Sequence, residues 1–323
     1  MRYRFHNYHP PAEDLLGEVL SGLACQPKRL SPKFFYDRRG SQLFEAITRL
    51  PEYYPTRTEI GILREQGGRI AEHLGHETVL IELGSGSPDK IRVLLDSLRP
   101  AVYMPVDISG EHLRDSSSHI ARDYPDLQIE AVCADYSNGL QLPEMPADTA
   151  RAAFFPGSSI GNFEPAVAID LLRNVGHELG PGGAMLIGVD LKKDFQKLDA
   201  AYNDNQQITE AFNLNLLTRI NREADANFDI NHFDHLAFYN EDEGRIEMHL
   251  VSTCDQEVRV DGRRFHFTSG ETIHTENSYK YNVNEFHDLA SEAGYKAENV
   301  WIDNDELFSV HCLRVDSLAG NAD

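Results

Sequence analysis

The stretch Ile81-Glu82-Leu83-Gly84-Ser85-Gly86-Ser87 closes an apolar run, Thr78 to Leu83, and opens onto a helical pattern, Asp89 to Leu98. A glycine pair at a strand-to-helix turn is where an open α/β sheet lets backbone approach a ligand, because Gly84 and Gly86 carry no Cβ to hold it off. Working outward, the rhythm repeats. Val102 to Ile108 reads as a strand, Glu111 to Tyr124 as a helix and Leu127 to Ala134 as a strand. Ala152 to Phe155 is a fourth strand, Pro165 to Leu179 an amphipathic helix, and Met185 to Asp190 a fifth strand after the stop Leu179-Gly180-Pro181-Gly182-Gly183. Alternating strands and helices of these lengths specify a doubly wound parallel sheet.

Residues 195 to 281 interrupt the rhythm. Two helical patterns, Phe195 to Asp204 and Ile208 to Ala224, precede strand-like Ile246 to Ser252, Glu257 to Val260 and Arg264 to Thr268, so the middle reads as an α+β insertion. The α/β style returns with a helix, Asn284 to Ala293, and two apolar runs, Asn299 to Ile302 and Leu307 to Leu313. Only Asp303 to Glu306 joins these runs, too little chain for a parallel crossover, so they are expected as antiparallel neighbours. A sheet ending in such a hairpin is of the methyltransferase type rather than the dinucleotide-binding type. The expected architecture is therefore α/β: a Rossmann-like sheet of the S-adenosylmethionine (SAM)-dependent methyltransferase kind with an antiparallel last strand and an inserted α+β substrate-binding domain. Residues 58–194 and 282–323 are assigned to the cofactor-binding domain, and 1–57 and 195–281 to the substrate-binding domain.

A chain of 323 residues with 41% hydrophobic residues suffices for a full core, as one large domain or two interleaved ones. The longest apolar runs are strand-length and the Met1 end lacks an apolar signal core, which places the chain in the cytoplasm without a membrane partner. Cys25, Cys133, Cys254 and Cys312 show neither CxxC spacing nor paired histidines nearby, so buried thiols are expected, with no disulfide framework and no metal. The net charge of -22 excludes phosphate-backbone binding, which needs a basic stripe, and a small-molecule substrate fits better. The acidity is spread along the chain, and solubility or a salty habitat accounts for it as well as any specific function.

A dinucleotide fingerprint needs a third glycine at position 89, where Asp89 stands and would repel a pyrophosphate. SAM, with a sulfonium and an amino-acid tail in place of phosphate, tolerates it. Asp107, ending the second strand, is placed to accept from both ribose hydroxyls, and Asp135, ending the third, from the adenine amine. Each Asp alone suits a helix N-cap or a turn equally well. Three successive strand ends with suitable groups are harder to dismiss.

Several runs extend this reading. They are Ser31-Pro32-Lys33-Phe34-Phe35-Tyr36-Asp37, Gly40-Ser41 with Leu43-Phe44-Glu45, and Leu50-Pro51-Glu52-Tyr53-Tyr54-Pro55-Thr56-Arg57. Further on come Phe155-Pro156-Gly157-Ser158-Ser159-Ile160-Gly161-Asn162-Phe163, Ala201-Tyr202-Asn203-Asp204, Phe212-Asn213-Leu214-Asn215, Ile246-Glu247-Met248-His249-Leu250 and Thr275-Glu276 with Ser278-Tyr279-Lys280. Together, over nearly the whole chain, they resemble the histidine Nα-methyltransferases of ergothioneine biosynthesis. The resemblance implies a monomer that trimethylates free L-histidine to hercynine with three molecules of SAM.

It also implies residue roles. Gly84, Gly86, Lys90, Asp107, Asp135 and Tyr136 correspond to the cofactor set; the family often has Phe where Tyr136 stands, and either ring can stack on adenine. Asn162 and Tyr202 correspond to carboxylate holders, Tyr53 and Glu276 with Ser278 to imidazole binders, and Met248 to the pocket wall. Gly157 and Tyr36 correspond to the place where amine and methyl donor meet, and Phe44 to a cation contact. The allocation makes physical sense at Glu276, since a buried carboxylate can fix an imidazole N–H but would sit unpaired against an indole or phenyl ring. Taken singly, these residues have plainer readings: turn packing for Tyr53 and Tyr54, a helix face for Tyr202, a cap for Asn162, core filler for Met248 and a surface ion pair of Glu276 with Lys280. His232 and His235 read as solvent-facing.

Three other functions compete. One is Nα-methylation of another aromatic amino acid, against which Glu276 and Met248 stand. Another is a non-catalytic SAM-binding protein, which would usually have lost the glycine loop or Asp107. The third is protein methylation, which a pocket gripping a free carboxylate would exclude.

Overall fold

The apolar run Val79–Leu83 forms a strand buried at every residue, and so does the seven-residue run Ala184–Asp190. Strands covered on both faces lack a polar side and read as continuous apolar runs. The computed structural model describes residues 3–8, 15–85, 88–136, 139–144 and 149–316. In chain order its strands are β1 (Tyr3–Asn7), β2 (Lys28–Arg29), β3 (Val79–Leu83), β4 (Val102–Asp107), β5 (Gln128–Cys133), β6 (Arg151–Phe155), β7 (Ala184–Asp190), β8 (Phe233–Asn240), β9 (Arg245–Ser252), β10 (Gln256–Val260), β11 (Arg263–Phe267), β12 (Thr272–Tyr279), β13 (Tyr295–Ile302) and β14 (Phe308–Val315). The helices are α1 (Leu15–Ala24), α2 (Arg38–Ile47), α3 (Tyr54–Leu74), α4 (Pro88–Leu98), α5 (Gly110–Asp123), α6 (Pro165–Leu179), α7 (Phe195–Tyr202), α8 (Ile208–Glu223) and α9 (Val283–Glu292). Among the described residues no helix is long and apolar enough to cross a membrane.

The chain divides into two compact units. The first, Met1–Pro10, Pro55–Lys192 and Lys280–Asp323, holds an eight-stranded sheet in the order β1-β5-β4-β3-β6-β7-β14-β13. Neighbours from β1 to β7 run parallel, while β14 is antiparallel to both β7 and β13, the hairpin expected from the short connection. Ile62, Leu63 and Ile70 of α3 and Ile91, Leu94 and Leu98 of α4 share one buried cluster with Leu80, Phe154, Leu186 and Val310 of the sheet. The strand order reverses at β3, whose neighbours are β4 on one side and β6 on the other. The carboxyl ends of β3 and β6 therefore flank the crevice at which doubly wound sheets bind ligands.

The second unit, Pro11–Tyr54 and Lys193–Tyr279, holds a four-stranded sheet, β2-β12-β9-β8, and the hairpin β10-β11. That hairpin turns on Asp261 and Gly262, both at positive φ (46° and 76°), the backbone of a two-residue type I′ turn. In β12 the pairing with β9 shifts register between His274 and Glu276.

Three expectations need correction. Residues 3–7 pair with β5 in the sheet unit rather than standing with the rest of 1–57, because Tyr3 and Phe5 pack on Leu113, Ala131 and Cys133. Strands β8 and β12 were not expected, since Phe233–Asn240 and Thr272–Tyr279 are rich in Asp, His, Asn, Glu and Thr and lack a clean apolar alternation. Of the four free thiols Cys133 and Cys312 are buried, but Cys25 and Cys254 are only half-buried.

Candidate functional site

The sheet unit gathers its candidate residues at the strand ends. Gly84 follows β3 with φ at +74°, and the N–H groups of Gly84 and Ser85 donate to Val106 O at 2.9 and 3.3 Å. The positive φ favours glycine, and a Cβ at position 84 would crowd the Tyr136 hydroxyl at 3.3 Å. Gly86 lies outside the described residues. Beneath the turn the buried Glu82 accepts from the Tyr103 hydroxyl, which lies 3.2 Å from Ser85 Oγ. Burial pushes the Glu82 carboxyl up to about 7, against the pull of those hydroxyls and of Lys90.

Asp107 ends β4 and accepts from the Ser109 N–H at 2.7 Å; burial raises its carboxyl above the ordinary range. Asp135 and Tyr136 follow β5, and the Tyr136 ring stands edge-on to Phe155 with centroids 5.8 Å apart. Burial and then the fields of Asp107 and Asp135 raise the Tyr136 phenol, so it stays protonated and the three side chains share one locale. Two carboxylates beside an aromatic ring and a Cβ-free turn suit the hydroxyls, amine and flat base of a nucleoside, whereas both carboxylates would repel a phosphate. These residues fit SAM.

Lys90 and Gly157 are tied together by a residue that the sequence reading missed. Glu59 of α3 is fully buried; its Oε2 lies 2.6 Å from Lys90 Nζ, and its two oxygens accept from the Gly157 N–H at 2.9 and 3.1 Å. Gly157, following β6, has φ at +79°, and a Cβ there would lie 3.2 Å from Lys90 Nζ. The signal for Glu59 was a carboxylate on the apolar stripe of its helix, in phase with Ile62, Leu63 and Ile70. Asn162 closes the 3-10 turn Ser159–Asn162, half-buried, and its amide has no hydrogen-bond partner among the described residues.

The second unit brings its candidates into two groups. Tyr36, Phe44 and Tyr53 form an aromatic cluster, with Tyr36–Phe44 and Phe44–Tyr53 centroids 5.7 and 6.4 Å apart, both edge-on. Phe212 of α8 completes it, 5.9 Å from Tyr36 and 6.0 Å from Phe44, a member with no role among the expected site residues. Asp37 locks this arrangement: it caps α2 through the Gly40 N–H at 2.7 Å and accepts from Asn215 and Arg222 of α8 at 2.9 and 2.7 Å. Burial works to raise the Asp37 carboxyl, and these hydrogen bonds outweigh it and hold it below the ordinary value.

The second group lies on the four-stranded sheet. Glu276 of β12 stands directly opposite Met248 of β9, and Ser278 opposite Ile246, so all four share one face. Tyr202, ending α7, donates from its hydroxyl to Ser278 Oγ at 2.8 Å. Glu276, Ser278, Tyr202 and Met248 are all buried.

The plainer readings fare unevenly. Tyr54 begins α3, and the buried Tyr53 stands edge-on to Phe44. Lys280 does not make a surface pair; it lies 2.8 Å from Asp190 with both side chains 1% exposed. His232 is half-exposed, but His235 is largely buried and bonds Asn213 and Tyr202 O.

Two clusters of possible metal donors occur among the described residues. In Glu247, His249 and His274 the two imidazoles are stacked, 4.8 Å apart at 20°, so one ion cannot lie in both ring planes. In His73, Glu298 and Cys312 the carboxylate is held by Arg314 at 2.8 and 3.0 Å, and burial pushes the thiol up to about 12.

A sequence model of the histidine-specific, SAM-dependent methyltransferases matches residues 15–315. A histidine N-alpha-methyltransferase of Mycolicibacterium smegmatis is 42% identical over 298 residues, 90% of this chain and 92% of that protein. Ergothioneine biosynthesis protein 1 of Neurospora crassa is 33% identical over 302 residues, 89% of this chain and 33% of that longer protein. Among solved structures, the PH0226 protein from Pyrococcus horikoshii OT3 superposes with a TM-score of 0.51 at 13% identity, over 87% of this chain and 100% of the other, a likeness of fold alone.

Proposed function

The chain belongs to the histidine-specific, SAM-dependent methyltransferases, and from that premise we propose how its own residues carry the reaction. It is a SAM-dependent histidine Nα-methyltransferase; the proposal is that it carries free L-histidine through three transfers to hercynine. One observation supports the residue assignment most: a buried carboxylate, Glu276, paired across strands with Met248 and sharing its face with the Ser278–Tyr202 hydrogen bond.

Bound SAM supplies a methyl group made electrophilic by its sulfonium. In this reading Asp107 would accept from the ribose hydroxyls, Asp135 would accept from the adenine amine, and the Tyr136 ring would face the base. Lys90, its ammonium steadied by Glu59, would pair with the carboxylate of the amino-acid tail, and Gly157 would leave the reacting groups room. Glu276 and Ser278, with Tyr53, hold the imidazole, and Met248 walls it. Asn162 and Tyr202 bind the substrate carboxylate without adding a negative charge that would compete for the sulfonium. The amine must be neutral to attack, and Tyr36 is the hydroxyl through which its proton leaves to water. Tyr36, Phe44 and Phe212 offer ring faces to the ammonium that grows with each transfer. Alignment and exclusion of water then supply most of the rate.

The reading also takes the chain as a cytoplasmic monomer with neither nucleic-acid nor membrane partner. Four free thiols suit a reducing compartment, and a charge of -22 repels polyanions. The exposed large apolar side chains among the described residues, Tyr8, Val167, Phe195, Leu236 and Ile302, stand on five different segments. The deciding assay gives the purified protein SAM with L-histidine, L-tryptophan or L-tyrosine and follows products by mass spectrometry. Mono-, di- and trimethylhistidine are expected, and preference for tryptophan or tyrosine would overturn the acceptor assignment while leaving methyl transfer intact.

A further inference from the structure

The register shift in β12 decides which way Glu276 faces. His274 pairs with His249, and in an unbroken ladder Thr275 would oppose Met248 and Glu276 would oppose Glu247. Two carboxylates would then meet directly across the strands, an unfavourable pair. Instead Thr275 is the extra residue, Glu276 opposes Met248, and Ser278 opposes Ile246. A single inserted residue thus moves both side chains from the face of Arg245, Glu247 and His249 to the face of Ile246, Met248 and Leu250.

A bulge leaves ladder groups unmade, and here side chains take their place. Asn213 of α8, fully buried, donates from Nδ2 to His249 O at 3.0 Å and accepts at Oδ1 from Thr275 Oγ1 at 2.8 Å. The Thr275 hydroxyl also lies 3.0 Å from Met248 O, and Thr275 is 1% exposed. The second Nδ2 proton of Asn213 goes to His235 Nδ1 at 2.9 Å, which leaves the His235 Nε2–H to donate to Tyr202 O at 2.9 Å. Burial lowers the His235 imidazole, in keeping with this neutral form. One amide therefore ties together the bulge that turns Glu276 and Ser278 and the end of the helix that carries Tyr202.

We infer that Asn213 and Thr275 are positioning residues that hold the β12 bulge and thereby set acceptor specificity, by keeping Glu276 and Ser278 on the Met248 face beside Tyr202. The inference rests on the reading of Glu276, Ser278 and Tyr202 as histidine binders. Neither positioning residue needs to touch substrate, and an amide with every donor and acceptor used is poorly suited to do so.

The test uses Thr275→Val, which keeps the shape and removes the hydroxyl, Thr275→Ser, which restores it, and Glu276→Ala, which removes the acceptor, as reference. L-histidine is titrated calorimetrically in the presence of S-adenosylhomocysteine, and SAM separately. Thr275→Val is expected to weaken histidine by about tenfold, the scale of a lost buried hydrogen-bond network, with SAM affinity within about twofold and Thr275→Ser close to the parent. Amide hydrogen exchange should quicken in residues 248–250 and 274–278 and stay unchanged in the sheet unit. Equal loss of both ligands would overturn the inference by showing a general structural role. A Glu276→Ala defect beside an unaffected Thr275→Val overturns the bulge lock alone. An unaffected Glu276→Ala overturns the histidine-binding reading beneath it, and the specificity claim with it.

Discussion

Glu59 and Gly157, 98 positions apart in the chain, are joined through both oxygens of one buried carboxylate, which also holds the Lys90 ammonium. The pair fixes a positive-φ turn at the end of β6 to the middle of a helix face, and Lys90 inherits its position from it.

Removing that carboxylate strands a buried cation. Glu59→Ala is expected to destabilise the protein by about 3–5 kcal/mol, because the buried Lys90 loses its partner and the Gly157 N–H goes unpaired. Glu59→Gln retains an acceptor for Gly157 and should fold, with SAM affinity lower by about tenfold as Lys90 loses its anchor. Urea unfolding and SAM titration measure the two effects. An alanine variant within about 1 kcal/mol of the parent would mean the carboxylate is dispensable.

Glu276→Ala should separate substrate from cofactor. Loss of a buried hydrogen-bonding carboxylate costs about 1–3 kcal/mol, or about 5- to 150-fold in kcat/KM for histidine, with SAM binding unchanged. Steady-state kinetics against both substrates checks this, and a parallel fall in SAM affinity would make Glu276 structural.

The ring cluster should matter more late in the reaction than early. An ammonium against aromatic faces gains about 0.5–2 kcal/mol, and only the methylated intermediates keep much of that gain when water is excluded. Phe44→Leu is therefore expected to slow the third transfer more than the first, so that dimethylhistidine accumulates in single-turnover time courses. An unchanged ratio of mono-, di- and trimethylated products would remove Phe44 from the cation contact.

His311 gives a signed pH dependence. It is fully buried between Ser309 at 2.8 Å and His287 at 3.1 Å, and burial first, then the neighbouring His287, lowers it from 6.5 to about 3. The unfolded chain takes up this proton below pH 6.5 and the folded chain only near 3, so stability is full above 6.5 and falls as pH drops through that window. The slope is about 1.4 kcal/mol per pH unit. Glu82, raised from 4.5 to about 7, acts with the opposite sign between those values, its stabilisation being lost as pH rises. The informative quantity is thus the difference between the parent and His311→Gln. Urea midpoints measured from pH 6.5 to 4 should fall less steeply in the variant, and parallel curves would exclude His311 as the source.

The sheet was legible because β3 and β7 are buried on both faces and spell themselves as apolar runs, with helices of the right length between them. Its terminal hairpin followed from the length of one loop. The second unit was less legible because its sheet carries buried polar side chains that satisfy one another. Asn213, Thr275 and His235 look like surface residues in sequence, and their pairing is visible only once β8 and β12 flank β9. Asp107 and Asp135 could be reasoned from strand ends, whereas Glu276 and Tyr202 came from resemblance. Glu59 was hidden among 52 acidic residues, although its phase with Ile62 and Leu63 was there to read.

The sheet unit takes its first strand from residues 3–7 and its last from residues 308–315, and β14 lies between β7 and β13. As the chain emerges from the ribosome, β7, buried at all seven positions in the finished protein, therefore waits with one edge unpaired for more than a hundred residues of further synthesis. β12 likewise comes long after β2, its partner in the other unit. Neither unit can close early, so a nascent or truncated chain ending before β14 exposes an apolar strand edge open to aggregation. Any demand of this enzyme on chaperones should be concentrated in that late interval, and a fusion partner at the carboxyl terminus would have to leave β14 free to dock.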